Sequence, residues 1–338
     1  MISTALVETI AQGLPGTKID VLTRPAISSI FAHNVHVDQV FTAHFPMGSL
    51  HDFGWKEAFA LRKVVAALRR RQYTDVVNLQ GDFREEVLGS LIARKRNWSP
   101  SWPPGHPCRK VIRESVLPLA NSPVLIPCDQ PNVHDTVATI GRAVVGVTAR
   151  RPALYTPAKK QLLWTPESRA VGLHPMASQL CRRWELAKWA VVAGRLIEQG
   201  LDVHVFGSPS EAEELTKHFG SLDTSKLRIV TGNLTTYFAT VAKMRVLVCP
   251  DSFAAHVAYA LGVPTILLNG ANDAAAWAPP GTAVLADGPG MPCYPCYNRP
   301  TCIGTTHEYG CVRRIEIKSV LETVWEVLAG RSHQPELL

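Results

Sequence analysis

The stretch Arg245–Gly270, RVLVCPDSFAAHVAYALGVPTILLNG, decides the fold. Arg245–Cys249 is an apolar run of strand length and Pro250–Phe253 breaks it. Ala254–Leu261 is a helix of small residues, and Gly262-Val263-Pro264 stops it before a second strand, Thr265–Leu268. A βαβ unit of this kind sets its polar break at the carboxyl end of a strand and the amino end of a helix, where α/β folds bind ligands. Asp251, Ser252 and His256 therefore fall where a site would be.

The alternation extends upstream. Ala170–Leu173, Asp202–Phe206 and Leu227–Val230 read as strands. A helix ending near Gln199, one capped by Ser210 and carrying Glu211, Glu213 and Glu214, and one over Thr235–Ala242 separate them. This implies a parallel sheet flanked by helices. The polar loop His174-Pro175-Met176-Ala177-Ser178 leads through Arg182-Arg183-Trp184 into the first of these helices.

The first half carries a weaker version of the pattern. Helices are expected over Met1–Gln12, near Ala26–Ala32, at about Trp55–Arg71, over Glu85–Ala93 and over His134–Val147, with strands at Lys18–Leu22, Asp38–Thr42 and Thr74–Leu79. Gln80-Gly81-Asp82 ends the last strand, so Asp82 and Arg84 are candidate pocket residues, with an ordinary Gly-Asp turn as the competing reading. Asn97–Pro107 has four prolines and two tryptophans and is expected to be a loop. The expected domains are 1–150 and 169–314, joined by an Arg-, Lys- and Pro-rich linker at 151–168 and followed by a helix and tail at 315–338.

Composition sets outer limits. The chain has 338 residues, 46% apolar and 19% charged, as in soluble globular proteins, with no run long enough to cross a membrane and no signal-peptide start; a cytoplasmic location is expected. Of the net charge of +7, residues 1–150 carry most, with 17 Lys and Arg against 12 Asp and Glu, clustered at Arg69-Arg70-Arg71 and Arg94-Lys95-Arg96. A basic half favours anionic membrane surfaces, phosphorylated substrates or nucleic acid, and a solvated helix face is the plainer reading of either cluster alone. Nucleic acid is not expected, because no aromatic residues interleave with the arginines. Neither GxGxxG in the first half nor GxxxxGK[ST] anywhere is present.

Cys108, Cys128, Cys181 and Cys249 are scattered and read as reduced thiols. The other four, Cys293, Cys296, Cys302 and Cys311, lie within nineteen residues, CYPCYNRPTCIGTTHEYGC. Four thiolates from a short loop suit a tetrahedral structural Zn or Fe, with His307 as a substitute ligand and free thiols or disulfides as the alternatives. A four-cysteine shell has no open position, so no catalytic metal is expected.

The span HPMASQLCRRWELAKWAVVAGRLIEQGLDVHVFGSPSEAEE, the block PDSFAAHVAYALGVPTILLNG, Trp277-Ala278-Pro279 and YTDVVNLQGDFREEVLGSLIARKR together resemble glycosyltransferase family 9, the ADP-heptose:lipopolysaccharide heptosyltransferases, nearest the heptosyltransferase III type. The resemblance implies an α/β GT-B fold, two Rossmann-like domains facing a central cleft. It implies an inverting, metal-independent transfer of heptose from ADP-heptose to the lipopolysaccharide inner core, with peripheral contact at the cytoplasmic face of the inner membrane.

By the same resemblance Arg182, with Arg183 in reserve, reaches the donor phosphates, and the backbone at Ser252, Phe253, Ala254 and Ala255 offers a helix amino end to the leaving diphosphate. Asp251 accepts hydrogen bonds from sugar hydroxyls or backbone amides, and His256 contacts the donor or braces the loop. Glu211 touches the nucleoside, a helix-end carboxylate being the competing reading. Phe253 stands where the family has Gly, which implies a donor pocket of different shape. The family's Gly-Asp turn, whose aspartate is the expected general base, would lie upstream of Met1; a start placed too late is expected, with a catalytically impaired homologue that binds a sugar nucleotide or a partner as the alternative.

Overall fold

The computed structural model describes residues 1–44, 55–79, 81–106, 119–297 and 299–330. Gln80, Pro107, Cys108 and the tail beyond 330 lie outside them. The chain divides into two compact units, Ile2–Lys160 and Gln161–Leu338, with Met1 assigned to the second.

The first unit runs α1 (Ser3–Gly13), β1 (Ile19–Thr23), β2 (Val37–Thr42), α2 (Trp55–Arg71), β3 (Asp75–Val77), α3 (Phe83–Ile92), β4 (Arg96–Ser101), β5 (Ser122–Leu125) and α4 (Val133–Val145). Every strand pair is parallel, in a two-stranded sheet β1-β2 and a three-stranded sheet β3-β4-β5. Ala5 and Leu6 of α1 and Val137 and Ile140 of α4 close over Trp102, Val124 and Ile126 to form its core.

Asn97–Pro107 was expected to be a loop, yet it opens with β4, the middle strand of its sheet. β3 pairs with β4 only at Arg96–Trp98, so Pro100 falls beyond that edge and its missing N–H withdraws no bond from β3. Two short strands, β5 and later β11, were also not foreseen: Ser122–Leu125 carries a proline and each has four residues, too few to show a period.

The second unit alternates more regularly: β6 (Ala170–Leu173), α5 (Leu186–Glu198), β7 (Asp202–Phe206), α6 (Ala212–Phe219), β8 (Leu227–Val230), α7 (Leu234–Val241), β9 (Val246–Pro250), α8 (Phe253–Leu261), β10 (Thr265–Asn269), α9 (Ala274–Trp277), β11 (Ala283–Ala286), α10 (Gly310–Arg313) and α11 (Ile317–Leu328). The six strands are parallel in the order β8-β7-β6-β9-β10-β11. All residues of β6, β9 and β10 are buried, as expected of strands covered on both faces, which is why they are built on apolar runs such as Val246–Cys249 and Ile266–Leu268. Trp189, Val192 and Leu196 of α5, Leu215 and Phe219 of α6, and Val320 and Val324 of α11 pack onto this sheet.

The strand order positions the ligand-facing end of this sheet. The chain moves from β6 outward through β7 and β8, then crosses back to place β9 on the other side of β6. Adjacent connections thus leave in opposite directions from the carboxyl ends of β6 and β9, and that divergence opens a crevice where doubly wound sheets take ligands. Among the described residues no helix is long and apolar enough to cross a membrane.

Candidate functional site

The crevice in the second unit is lined by the turns at the carboxyl ends of β6, β7, β9 and β10. After β9, Asp251 is 5% exposed and Ser252 caps α8, its Oγ accepting from the Ala254 N–H at 3.3 Å. Gly262 ends that helix at φ +83°, a conformation that a residue with a Cβ rarely adopts. The helix axis is therefore held by a cap at each end, with its amino end at the crevice.

Arg182 reaches Asp251 from the turn before α5. Its Nη1 donates to the Asp251 carbonyl at 3.4 Å and lies 3.7 Å from Oδ2. Asn272, just beyond β10, donates through Nδ2 to the same carboxylate oxygen and is itself held by Asn269, whose Nδ2 donates to the Asn272 carbonyl at 2.8 Å. Burial raises the Asp251 pKa above the usual carboxylate value, while Arg182 and Asn272 oppose that shift. Arg182 Nε and Asn272 Oδ1 are buried with no hydrogen-bond partner among the described residues. Two unmet polar atoms beside one buried carboxylate leave bonding capacity for a polar ligand.

Arg183 faces elsewhere: its Nε donates to the Ala177 carbonyl at 2.6 Å and so ties down the loop after β6. Of the adjacent arginines, Arg182 is the one at the crevice. Glu211 acts locally. One carboxylate oxygen, Oε2, accepts from both the backbone N–H and the hydroxyl of Ser208 at 2.7 Å, closing a capping box. The cap is Ser208, not Ser210, because the 3-10 turn Pro209–Glu211 starts before α6 does.

Phe253, where a glycine was expected by resemblance, is 36% exposed and stacks at 6.4 Å on Tyr237, with Phe238 at 6.2 Å. Tyr237 also meets His174, their rings edge to face at 5.7 Å. Burial lowers the His174 pKa to about 4 although Glu211 pulls it upward, so the imidazole is neutral at pH 7. His174 and Glu211, on successive strand ends, thus share one electrostatic neighbourhood. His256 lies within α8, part-buried and engaged.

Asp82 and Arg84 belong to the first unit and are committed to each other. Asp82 caps α3 by accepting from the Arg84 N–H at 3.0 Å, and takes Nε and Nη2 of the same arginine at 2.7 Å each. Both carboxylate oxygens accept from the guanidinium, so the two side chains are held together at the start of α3.

The cysteine loop differs from the tetrahedral expectation. Among the described residues no three His, Cys, Asp or Glu side chains are arranged to hold a metal ion. Cys293 instead meets Cys302, and Cys296 meets Cys181, which was read as a scattered thiol. The Tyr309 N–H donates to Cys302 Sγ at 3.5 Å, and a Cβ on Gly270 would lie 3.4 Å from Cys311 Sγ and 3.1 Å from the Cys181 carbonyl. Burial and neighbouring thiols push Cys181 and Cys311 up to about 11. The loop therefore packs against the turn that carries Arg182, and burial, with the charge of Asp273, raises the pKa of Tyr294 within it.

Asn272, His174, Tyr237 and Cys181 were not singled out by sequence reasoning as site neighbours. Asn272 had a partial signal: it falls three residues after the end of β10, in the turn on the same edge of the sheet as the turn after β9. Cys181 had none, because only the crossing of the chain between β6 and β10 brings it to Cys296.

The two units and their parallel sheets define an α/β protein of GT-B-like fold. E. coli heptosyltransferase WaaC with ADP aligns over 96% of this chain and 95% of its own at TM-score 0.73 and 15% identity. E. coli ADP-heptose LPS heptosyltransferase II aligns over 98% and 96% at TM-score 0.68 and 18% identity. A family model described as Glycosyltransferase family 9 (heptosyltransferase) matches residues 61–307, and the chain belongs to that family of transferases. The Lipopolysaccharide heptosyltransferase 3 of Escherichia coli is 22% identical over 297 residues, 82% of each chain.

Proposed function

We propose that this chain transfers a heptose from a nucleotide diphosphate heptose, ADP-heptose, to a sugar hydroxyl of the lipopolysaccharide inner core, with inversion and without a metal in the reaction. The observation that carries the proposal is the polar set at the β6–β9 crevice, in a chain of this family: Arg182, with an unmet Nε, beside the capped amino end of α8. As the anomeric carbon–oxygen bond breaks, negative charge grows on the departing diphosphate. A guanidinium fork and aligned backbone N–H groups oppose that charge without rearranging. Ser252, Phe253 and Ala254 supply the backbone end, and Asp251 holds Arg182 in place and accepts from sugar hydroxyls. Glu211 and His256 complete the donor side, with Arg183 bracing the loop after β6.

The acceptor oxygen attacks the opposite face of the anomeric carbon, and its proton passes to a base. Asp82, engaged by Arg84, is not assigned that role. That engagement also favours a second reading, a homologue that binds the sugar nucleotide with impaired turnover or serves as a partner protein. The cysteine loop carries a structural proposal: its paired thiols are a soft donor set for Zn or Fe, with no part in transfer. Zinc and iron assays of the purified protein test it, and absence of both refutes it.

The function is tested by incubating the chain with ADP-heptose and a heptose-bearing core acceptor in the presence of a chelator. ADP release and a product of inverted anomeric configuration are expected. Tight ADP-heptose binding with no release of ADP supports the second reading, and a folded chain that does neither refutes both.

A further inference from the structure

We infer that the ring of Phe253 is a stacking platform for the nucleobase of the donor nucleotide. Phe253 is the first residue of α8 and follows the Ser252 cap, so its ring is attached to the backbone that faces the crevice. The helix does not need that ring for its own packing: Ala254, Ala255, Val257, Ala258 and Leu261 are the residues it buries. A single exposed apolar side chain is ordinary on a protein surface. This one, 36% exposed, stands at the amino end of a capped helix and on a rigid bed.

The bed shows which way the ring leans. Phe253 lies on Tyr237 with 27° between the ring planes and against Phe238 at 48°. Both belong to α7 and are 6% and 3% exposed, and Tyr237 in turn packs edge to face on Phe206 of β7, centroids 5.3 Å apart. Asp251, two residues before Phe253, has different company: Arg182, and Asn272 from the turn after β10. In the sheet β7 and β10 lie on opposite sides of β9. The aromatic set Phe206, Tyr237, Phe238 and Phe253 is thus anchored towards the β7 side of the α8 amino end, and Asn272 brings polar atoms from the β10 side.

A nucleoside diphosphate sugar has the same division about its diphosphate, a flat aromatic base at one end and a ring of hydroxyls at the other. With the diphosphate at the amino end of α8, the sugar meets the polar set and the base meets the aromatic one. The reverse placement would set the faces of the base against a buried carboxylate and leave the exposed ring uncovered. Stacking uses the π face that every base has, so Phe253 favours an aromatic base without choosing among bases. The glycine expected here by resemblance would offer no such face. The inference rests on the donor-side reading given above and deepens it.

Binding of ADP and of ribose 5-diphosphate, which lacks the base, is measured by calorimetry on the full chain. The ratio of the two dissociation constants isolates the base, because ribose and diphosphate are common to both. ADP should bind the parent about tenfold or more tighter, and Phe253→Ala should lower that ratio by about tenfold. Phe253→Tyr keeps the ring face and should keep the ratio. Circular dichroism confirms folding. If the ring only braces α7 and α8, Phe253→Ala weakens both ligands alike and the ratio stays at the parent value, which overturns the inference. Phe253→Tyr losing as much as Phe253→Ala overturns it too, as does a loss seen with ADP-heptose and not with ADP, which would set the ring against the sugar. Those three results leave the transfer reading standing. A folded parent that binds neither ADP nor ADP-heptose overturns both.

Discussion

Removing Arg182 should expose how far Asp251 depends on it. At 3.7 Å the two charges attract with about 4 kcal/mol at an effective dielectric of about 20. Arg182 keeps 19% of its side chain in solvent and the pair is not a bidentate fork, so about 2 kcal/mol is the expected net loss in Arg182→Ala. Asp251→Asn in the parent costs less, since Asn keeps the shape and can still bond Asn272. In the Arg182→Ala background the same change should stabilise, because it removes a buried charge left without its cation. The coupling between the two substitutions should thus be about 1.5–2 kcal/mol.

Urea denaturation read by tryptophan fluorescence measures it, Trp184 and Trp189 being fully buried. The sign with pH is set by the raised Asp251 pKa. Loss of Arg182 raises it further, so the folded variant takes up a proton before the unfolded chain does. The deficit of Arg182→Ala should therefore shrink as pH falls through the folded Asp251 pKa and be full above it. Additivity within about 0.5 kcal/mol, or a deficit that grows on acidification, refutes the reasoning. The same variant should lose about 10²–10³ in kcat, with Arg182→Lys recovering part.

His174 has its folded pKa lowered to about 4, so the unfolded chain binds its proton first as pH falls. Its contribution is complete above about pH 6.5 and is lost on acidification towards 4, by roughly 3 kcal/mol; His174→Phe should flatten that part of the pH-stability profile, and an unchanged slope counts against it. Ser252→Ala removes a helix cap and should cost about 1 kcal/mol of stability in urea, together with weaker ADP binding by calorimetry. Glu211→Ala opens the Ser208 capping box. A loss below about 1 kcal/mol in stability with a several-fold rise in donor KM would mark a nucleoside contact, while an unchanged KM would leave only the cap.

The second unit was legible because its central strands are buried on both faces: Val246–Cys249 and Ile266–Leu268 are unbroken apolar runs, and Gly262 marks a left-handed helix end that few residues accept. The first unit was less legible for the opposite reason. β1 is half-buried along its length and β3 has only three residues, so neither carries a long period. The site divides likewise. Asp251 and Ser252 follow from local rules of strand ends and helix caps; Arg182 was named by resemblance, and whether Arg182 or Arg183 turns inward depends on Ala177, whose carbonyl takes Arg183.

By itself the sequence determined the α/β class and the polar turn after β9, because periodicity, caps and breaks act over a few neighbouring residues. Tertiary structure alone decided that Asn272 shares the Asp251 carboxylate, that Cys181 faces Cys296 and that Arg84 occupies Asp82. Each of these last facts is set by the order in which strands and helices are laid side by side. Contacts between segments remote along the chain, and the side-chain directions chosen at them, leave no periodic trace in the chain itself.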